Sequence, residues 1–239
     1  MRSVSETFVY LGEQPLLWLF LTLLAYAFGD WCQRAAGRSA LLNPVAIASL
    51  LLGSLLLVTE TSYDQYFGGA QFIHFLLGPA IVGLAIPVME NLPGIWRPRY
   101  PMVVALLLGA LAGAASAIGL GLLFGLPLDT VASIAPKSVT APIAMGIAEQ
   151  LGGIASIAAV VAVLTGITGA VIATPLFNRL GYRDWRARGF AVGAACHGIG
   201  TAHAFQVNKI AGTYATMGMA LNGILSALLV PLLFTLMAG

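Results

Sequence analysis

The 239-residue chain is apolar along its whole length, with 59% hydrophobic residues, 8% charged residues and a mean hydropathy of +0.92. Soluble domains carry about 25% charged residues, so this composition excludes a protein whose entire surface faces water. The net charge of +2 does not indicate a nucleic-acid partner, and the two cysteines, Cys32 and Cys196, form no disulfide framework.

Long apolar segments recur from one end of the chain to the other. A transmembrane helix needs about 20 predominantly apolar residues. The pattern predicts an all-α polytopic membrane protein, with a single domain over 1–239 whose first helices occupy 1–125. We predict about six full transmembrane helices, at residues 16–28, 41–58, 72–89, 102–124, 154–177 and 213–237.

Two further apolar segments, 138–151 and 189–206, are too short and too interrupted by Pro and Gly to be ordinary spans. Both lie in the second part of the chain, 126–239. Arginines follow the first, third and fifth predicted spans, and the positive-inside rule places these loops in the cytoplasm and the amino terminus outside. Asp129 would then lie outside and Arg179 inside, and the span 154–177 already supplies the one crossing between them.

The two short segments are therefore predicted to be re-entrant or discontinuous helices of opposed orientation. Irregular backbone at membrane depth is tolerated where it lines a water-filled cavity, and transporters bind anionic substrates at such breaks. In the first segment we expect Lys137, Ser138 and Thr140 to bind an anion, with Thr140 as N-cap and Pro142 in the first helical turn.

In the second segment, Gly198 and Gly200 are expected to let the backbone open, and Thr201 to cap the helix that follows. His197 and His203 flank this break. Because they are six residues apart, one helix cannot aim both at a metal ion, so no metal site is predicted. The sequence indicates no cofactor and no nucleophile with an oriented base, which argues against an enzyme.

Several of these residues have alternative interpretations. Lys137 could reach the membrane interface instead of a buried site. Glu149 could be a solvated helix end or a coupling group, and His203 could act in coupling or gating. Asn222, inside the last span, could gate transport or only join two helices.

Five stretches of this sequence resemble the LrgB/CidB family: LLGPA, PKSVTAPIAM, EQLGG, CHGIGTA and ALNGIL, at 76–80, 136–145, 149–153, 196–202 and 220–225. The resemblance covers nearly the whole chain and implies a bacterial inner-membrane protein. It also implies a smaller LrgA/CidA-type membrane partner. Members were named as holin- or antiholin-like modulators of murein hydrolase export and autolysis, whereas related proteins resemble carriers of pyruvate, or of glycolate and glycerate.

The chain departs from the family pattern at two positions. His203 stands where members commonly have Arg, and Ala211 stands where they commonly have Glu. One explanation is that the two normally form an ion pair and were lost together, since losing one partner alone leaves a costly buried charge.

Two functions remain open from the sequence. The first is a carrier of small monocarboxylates, built around Lys137, Ser138, Thr140, His197 and Thr201, which alternates access and is coupled to protons through Glu149 or a histidine. The second is a holin-like protein that forms homo-oligomers through its Gly-rich faces. We favour the carrier, because a pore made by oligomerisation needs no pair of broken helices with convergent polar groups.

Overall fold

The computed structural model describes residues 15–37, 42–83, 85–90 and 99–238, and within these ranges it contains helices and no strands. Four of these helices are long and apolar enough to cross a membrane, which agrees with the predicted all-α membrane fold. The predicted outside location concerns residues 1–14, which lie outside the described residues. The helices are α1 (Pro15–Ala35), α2 (Pro44–Val58), α3 (Tyr63–Gly83), α4 (Ala85–Glu90), α5 (Arg99–Leu123), α6 (Leu128–Ile134), α7 (Ala141–Gln150), α8 (Ala155–Arg179), α9 (Trp185–Val207) and α10 (Lys209–Ala238).

Contacts divide the chain into two compact units, residues 1–83 and 84–239. In the first unit, α1 packs against α2 and α3. The start of α2 is fixed by Asn43, whose Oδ1 accepts hydrogen bonds from the backbone N–H groups of Val45 and Ala46 at 2.9 and 3.3 Å. Between α1 and α3, the buried Trp18 ring meets Tyr66 edge-on at 6.0 Å.

The second unit contains both predicted broken segments. It also contains α5, which the sequence grouped with the first helices but which packs on α6, α9 and α10. The small side chains of α9 permit close approach to α10: Gly189 lies against the backbone of Ala211, and Gly193 against that of Ala215. The matching order of these contacts shows that α10 runs parallel to the first half of α9.

The first broken segment is a helical hairpin, which we call hairpin 1 (residues 128–150). The chain enters along α6, turns through 135–140 and returns along α7. After the return, the backbone N–H of Ile154 donates to Ser133 Oγ at 2.7 Å. A Cβ at Gly153 would lie only 2.9 Å from the backbone N of Ser133. The chain therefore leaves the hairpin beside the helix by which it entered.

The second broken segment, hairpin 2, is α9 itself, folded at His197. A straight helix of this length would hold Trp185 and Val207 about 33 Å apart. Instead both residues line one small cavity, and Val192 packs with Ala204 in one apolar cluster. The backbone of His197, with φ 43° and ψ −135°, makes the reversal.

The two hairpins are rooted at opposite ends of α8. The root of hairpin 1 meets the start of α8 at Ile154, whereas the root of hairpin 2 lies near Phe177 at its other end. We call that second end, where Arg179, Arg183 and Arg186 lie, the arginine end. Each hairpin is followed by one long apolar helix, α8 or α10, so the pair has the opposed arrangement that the sequence predicted.

Candidate functional site: a cavity that ends at the hairpin tips

A cavity of about 960 Å³ runs between α5, α8 and the first half of α9. Its part at the arginine end, which we call the mouth, is lined by Pro101, Asp184 and Arg186. Its inner end is lined by Lys137 and Ser138, from the tip of hairpin 1. The cavity thus extends from the arginine end to the tip of hairpin 1.

Lys137 is the cation at the inner end of this cavity. The residue is half-buried, and no carboxylate of the described residues lies within 4.0 Å of its ammonium. The neighbouring Ser138 is tightly held: its carbonyl accepts a hydrogen bond from Asn222 Nδ2 at 3.1 Å. Asn222 is itself buried and accepts from Ser226 Oγ at 3.3 Å. The side chain of Asn222 therefore fixes the tip of hairpin 1 to the middle of α10.

His197 fixes the tip of hairpin 2 to α8. Its Nε2 lies 2.8 Å from the carbonyl oxygen of Ala162, so this nitrogen carries the proton and donates. The ring packs on Gly166, where an added Cβ would lie 2.8 Å from Cε1. Within the tip, Thr201 Oγ1 donates to the His197 carbonyl at 2.7 Å.

The position of the break corrects one prediction. Gly198 and Gly200 were expected to open the backbone, but the positive φ belongs to His197, which precedes both. A side chain is strained in this region, at a cost of about 1–3 kcal/mol, and persists only where its surroundings hold it. The Ala162 hydrogen bond and the Gly166 contact supply that restraint. Gly200 is needed for space instead, because a Cβ there would lie 2.5 Å from that of Cys196.

The mouth carries a neutral ion pair. Asp184 caps the start of α9 and binds Arg186 through both carboxylate oxygens, at 3.0 Å to Nε and 2.7 Å to Nη2. The Arg186 guanidinium holds the pKa of the Asp184 carboxyl below its usual value, so the pair stays ionised at neutral pH. The mouth pair cancels its own charge, which leaves Lys137 as the net charge of the described cavity wall.

The side of the tips away from the mouth is closed by tightly packed apolar side chains. Ile118, Val131, Ala144 and Ala158 have no exposed surface, and Val139 has only 2%. They form one cluster that joins hairpin 1 to α5, α8 and α10. The cavity therefore extends from the hairpin 1 tip to the arginine end, and the opposite side of the tips is packed shut.

The predicted site residues divide into three groups. Lys137 and Ser138 line the cavity. Those that build the tips without lining the cavity are Thr140, Pro142, His197, Gly198, Gly200 and Thr201. Thr140 is the N-cap of α7 and Pro142 lies in its first turn, as predicted, although the Thr140 hydroxyl makes no capping hydrogen bond. The coupling roles of Glu149, exposed near the root of hairpin 1, and of His203 in the small cavity stay predictions.

The small cavity, of about 20 Å³, lies at the root of hairpin 2 and is lined by His203, Ala211 and Arg188. The two positions at which the sequence analysis noted a departure from the family pattern thus share one site, and their explanation as a lost ion pair stays a prediction. Arg188 is buried there, with its Nε donating to the Tyr182 carbonyl at 2.6 Å and its guanidinium 4.8 Å from the Trp185 ring.

Sequence reasoning missed Thr165, Thr168 and Cys196 as cavity-lining residues. The Cys196 thiol packs on Gly169 of α8 and lines the same cavity as Lys137. No sequence signal separates these residues from the rest of two long apolar segments, because only the packing decides which side faces the cavity.

The fold and cavity define an all-helical membrane protein in which two opposed helical hairpins meet beside a deep cavity. The chain belongs to the LrgB-like family, which it matches over residues 22–236, and this confirms the resemblance seen in its motifs.

Relatives extend over nearly the whole chain. An uncharacterized protein of Haemophilus influenzae is 33% identical over 223 residues, covering 92% of this chain and 95% of that protein. The holin-like protein CidB of Staphylococcus epidermidis is 30% identical over 223 residues, with 93% and 97% covered. CidB of Staphylococcus aureus is 28% identical over a segment of the same length and coverage. No solved structure matches the chain.

Proposed function

We propose that this protein is a secondary carrier of small monocarboxylates such as pyruvate or glycolate, which alternates access around the two hairpin tips. The observation that carries the proposal is the cavity that leads from the arginine end to Lys137. A charged side chain at mid-depth costs about 2.5–3.5 kcal/mol on insertion scales. A bound carboxylate would compensate that charge where the described protein supplies none.

The charge balance favours a monoanion. The Asp184–Arg186 pair at the mouth is neutral, so one carboxylate at Lys137 neutralises the described cavity wall. A second carboxylate would lie among apolar and hydroxyl groups without a counter-ion, which is costly. The cavity far exceeds the volume of a three-carbon acid, so it serves as a vestibule and the binding site is its inner end.

In the alternate conformation of the carrier, the tips would be accessible from the side that is now packed and closed on the side of the cavity. By the positive-inside rule the arginine end is cytoplasmic, so the described conformation corresponds to an inward-facing carrier in the bacterial inner membrane. Outward opening would separate the apolar cluster around hairpin 1 and pack the first half of hairpin 2 against α5. The opposed roots of the hairpins suit such a movement, because each hairpin can act as the gate for its own end.

A holin-like role is the second candidate, favoured by the names of the staphylococcal relatives. In that case copies of the chain would assemble, alone or with a smaller LrgA/CidA-type membrane partner, and permeabilise the membrane. Murein hydrolase export and autolysis would then depend on the assembly. A non-selective leak distinguishes this function from a saturable carrier.

The test uses the purified protein alone in proteoliposomes, with labelled pyruvate and glycolate and with an entrapped dye. We expect saturable uptake that Lys137→Ala abolishes. Lys209→Ala is the matched control, because Lys209 lies at the exposed start of α10 and is 3.9 Å from Glu90. Uptake by Lys137→Ala at the wild-type rate would refute the assigned site, and dye release without saturable uptake would favour the holin-like role.

A further inference from the structure

Two hydroxyl groups of α8 face the cavity opposite the hairpin 1 tip. Thr165 and Thr168 are three residues apart, which places them on adjacent turns of one side of the helix. Both line the same cavity as Lys137. Neither belongs to the hairpin tips, and neither is needed to explain how the carboxylate is held.

The two hydroxyls differ in what they can still bind. Thr165 Oγ1 donates to the Val161 carbonyl at 2.8 Å, so its oxygen is left to accept a hydrogen bond. The Thr168 hydroxyl has no hydrogen-bond partner among the described residues, although it lies mid-helix. It can therefore donate to a carbonyl oxygen or accept from a hydroxyl.

These hydroxyls and the cation belong to the wall of one cavity. Thr165 and Gly169 lie four residues apart on one face of α8. Gly169 packs on the Cys196 thiol, and Cys196 lines the same cavity as Lys137. A carboxylate held at Lys137 would thus present its second carbon towards the wall that carries the threonines.

We infer that Thr165 and Thr168 are specificity-determining residues, which hydrogen-bond the oxygen on the second carbon of a 2-oxo or 2-hydroxy acid. This inference rests on the proposed carrier function. Thr168 can hydrogen-bond the oxygen of either a 2-oxo or a 2-hydroxy group. Thr165 can only accept a hydrogen bond from a 2-hydroxyl, because its own proton is donated to the Val161 carbonyl. An acid without this oxygen leaves the hydroxyls facing an apolar group, so it binds less well.

The experiment compares labelled glycolate, pyruvate and acetate as substrates for wild-type protein and for isosteric Thr→Val variants in proteoliposomes. For Thr168→Val we expect the KM for glycolate and pyruvate to rise about 5-fold, the effect of one hydrogen bond, with KM for acetate and all maximal rates unchanged. Thr165→Val should raise KM for glycolate but not for pyruvate. Thr168→Ser should restore the wild-type preference.

Thr174→Val is the matched control, since Thr174 lies on the same helix but lines the small cavity at the root of hairpin 2. Equal changes for acetate and glycolate, or an unchanged preference in Thr168→Val, would overturn the inference while leaving the carrier intact. Absence of saturable uptake of all three acids by the wild-type protein would instead overturn the carrier function, and this inference with it.

Discussion

Replacing Gly166 by alanine should slow transport by displacing the tip of hairpin 2. The new Cβ would lie 2.8 Å from His197 Cε1, 3.0 Å from Nε2 and 3.0 Å from the Cβ of Ile199. Carbon atoms in good contact are about 3.5–4.0 Å apart, so the ring must move by roughly an ångström. The movement would weaken the 2.8 Å hydrogen bond from Nε2 to the Ala162 carbonyl.

The magnitude follows from the cost of overpacking. An extra methyl group in a well-packed site costs about 1–3 kcal/mol. If the tip must keep this position for substrate binding, initial uptake at low substrate falls by a factor of about 5 to 150, at about 1.4 kcal/mol for each factor of ten. The strained His197 backbone gives the tip an alternative conformation into which to relax, so the loss should be larger for transport than for thermal stability.

The assay is initial glycolate uptake together with thermal unfolding in detergent. Gly146→Ala is the control: this residue is inside α7 with no atom within 4 Å of an added Cβ, so uptake should stay normal. In a Gly166→Ala/His197→Ala double variant the ring is gone and only the contact with Ile199 remains, so the additional loss caused by Gly166→Ala should become smaller. Wild-type uptake by Gly166→Ala, or an equal loss from Gly166→Ala in both backgrounds, would refute the role of the ring contact.

Two further predictions concern buried polar contacts. Asn222→Ala removes the donor to the Ser138 carbonyl in a buried site, so we expect a loss of about 1–3 kcal/mol in unfolding free energy and slower uptake. Asn222→Gln should recover neither property, because the longer side chain displaces the amide. A fully active Asn222→Ala variant would exclude the role of Asn222 in holding the tip. His203→Arg alone places a second guanidinium beside Arg188 and should lower the unfolding temperature in detergent. Adding Ala211→Glu should recover part of this loss. Strictly additive effects of the two substitutions would argue against an ion pair between these positions.

The sequence was sufficient to predict the opposed hairpins, because charge and length act through simple physical rules. Asp129 and Arg179 on opposite sides leave one crossing for α8, so the short segment before it has to turn back. The Pro and Gly residues mark where it turns. Lys137 was predicted as a site residue for a similar reason, because a lysine in a short apolar segment is conspicuous in a chain with so few charges, and it lines the cavity.

The remaining features depend on packing between segments. α8 is apolar on every side, so its periodicity does not reveal that Thr165 and Thr168 face a cavity. The reversal at His197 could not be predicted from local preference, which favours the glycine that follows it. It requires the Ala162 carbonyl and the space at Gly166, which come from a helix about 30 residues earlier in the chain.

The position of α8 between the hairpins makes its length as important as its composition. Ile154, just before the helix, holds the root of hairpin 1, and Ala162, eight residues later, holds the tip of hairpin 2. That interval measures about 12 Å along the axis, and each residue adds about 1.5 Å and a rotation of about 100°. One inserted residue would therefore turn the two attachment points away from each other while leaving every side chain intact. The length of this stretch of α8 therefore sets the distance and the rotation between the two attachment points. A substitution there changes only its local surroundings, whereas an insertion or deletion changes the relative position of the two hairpins.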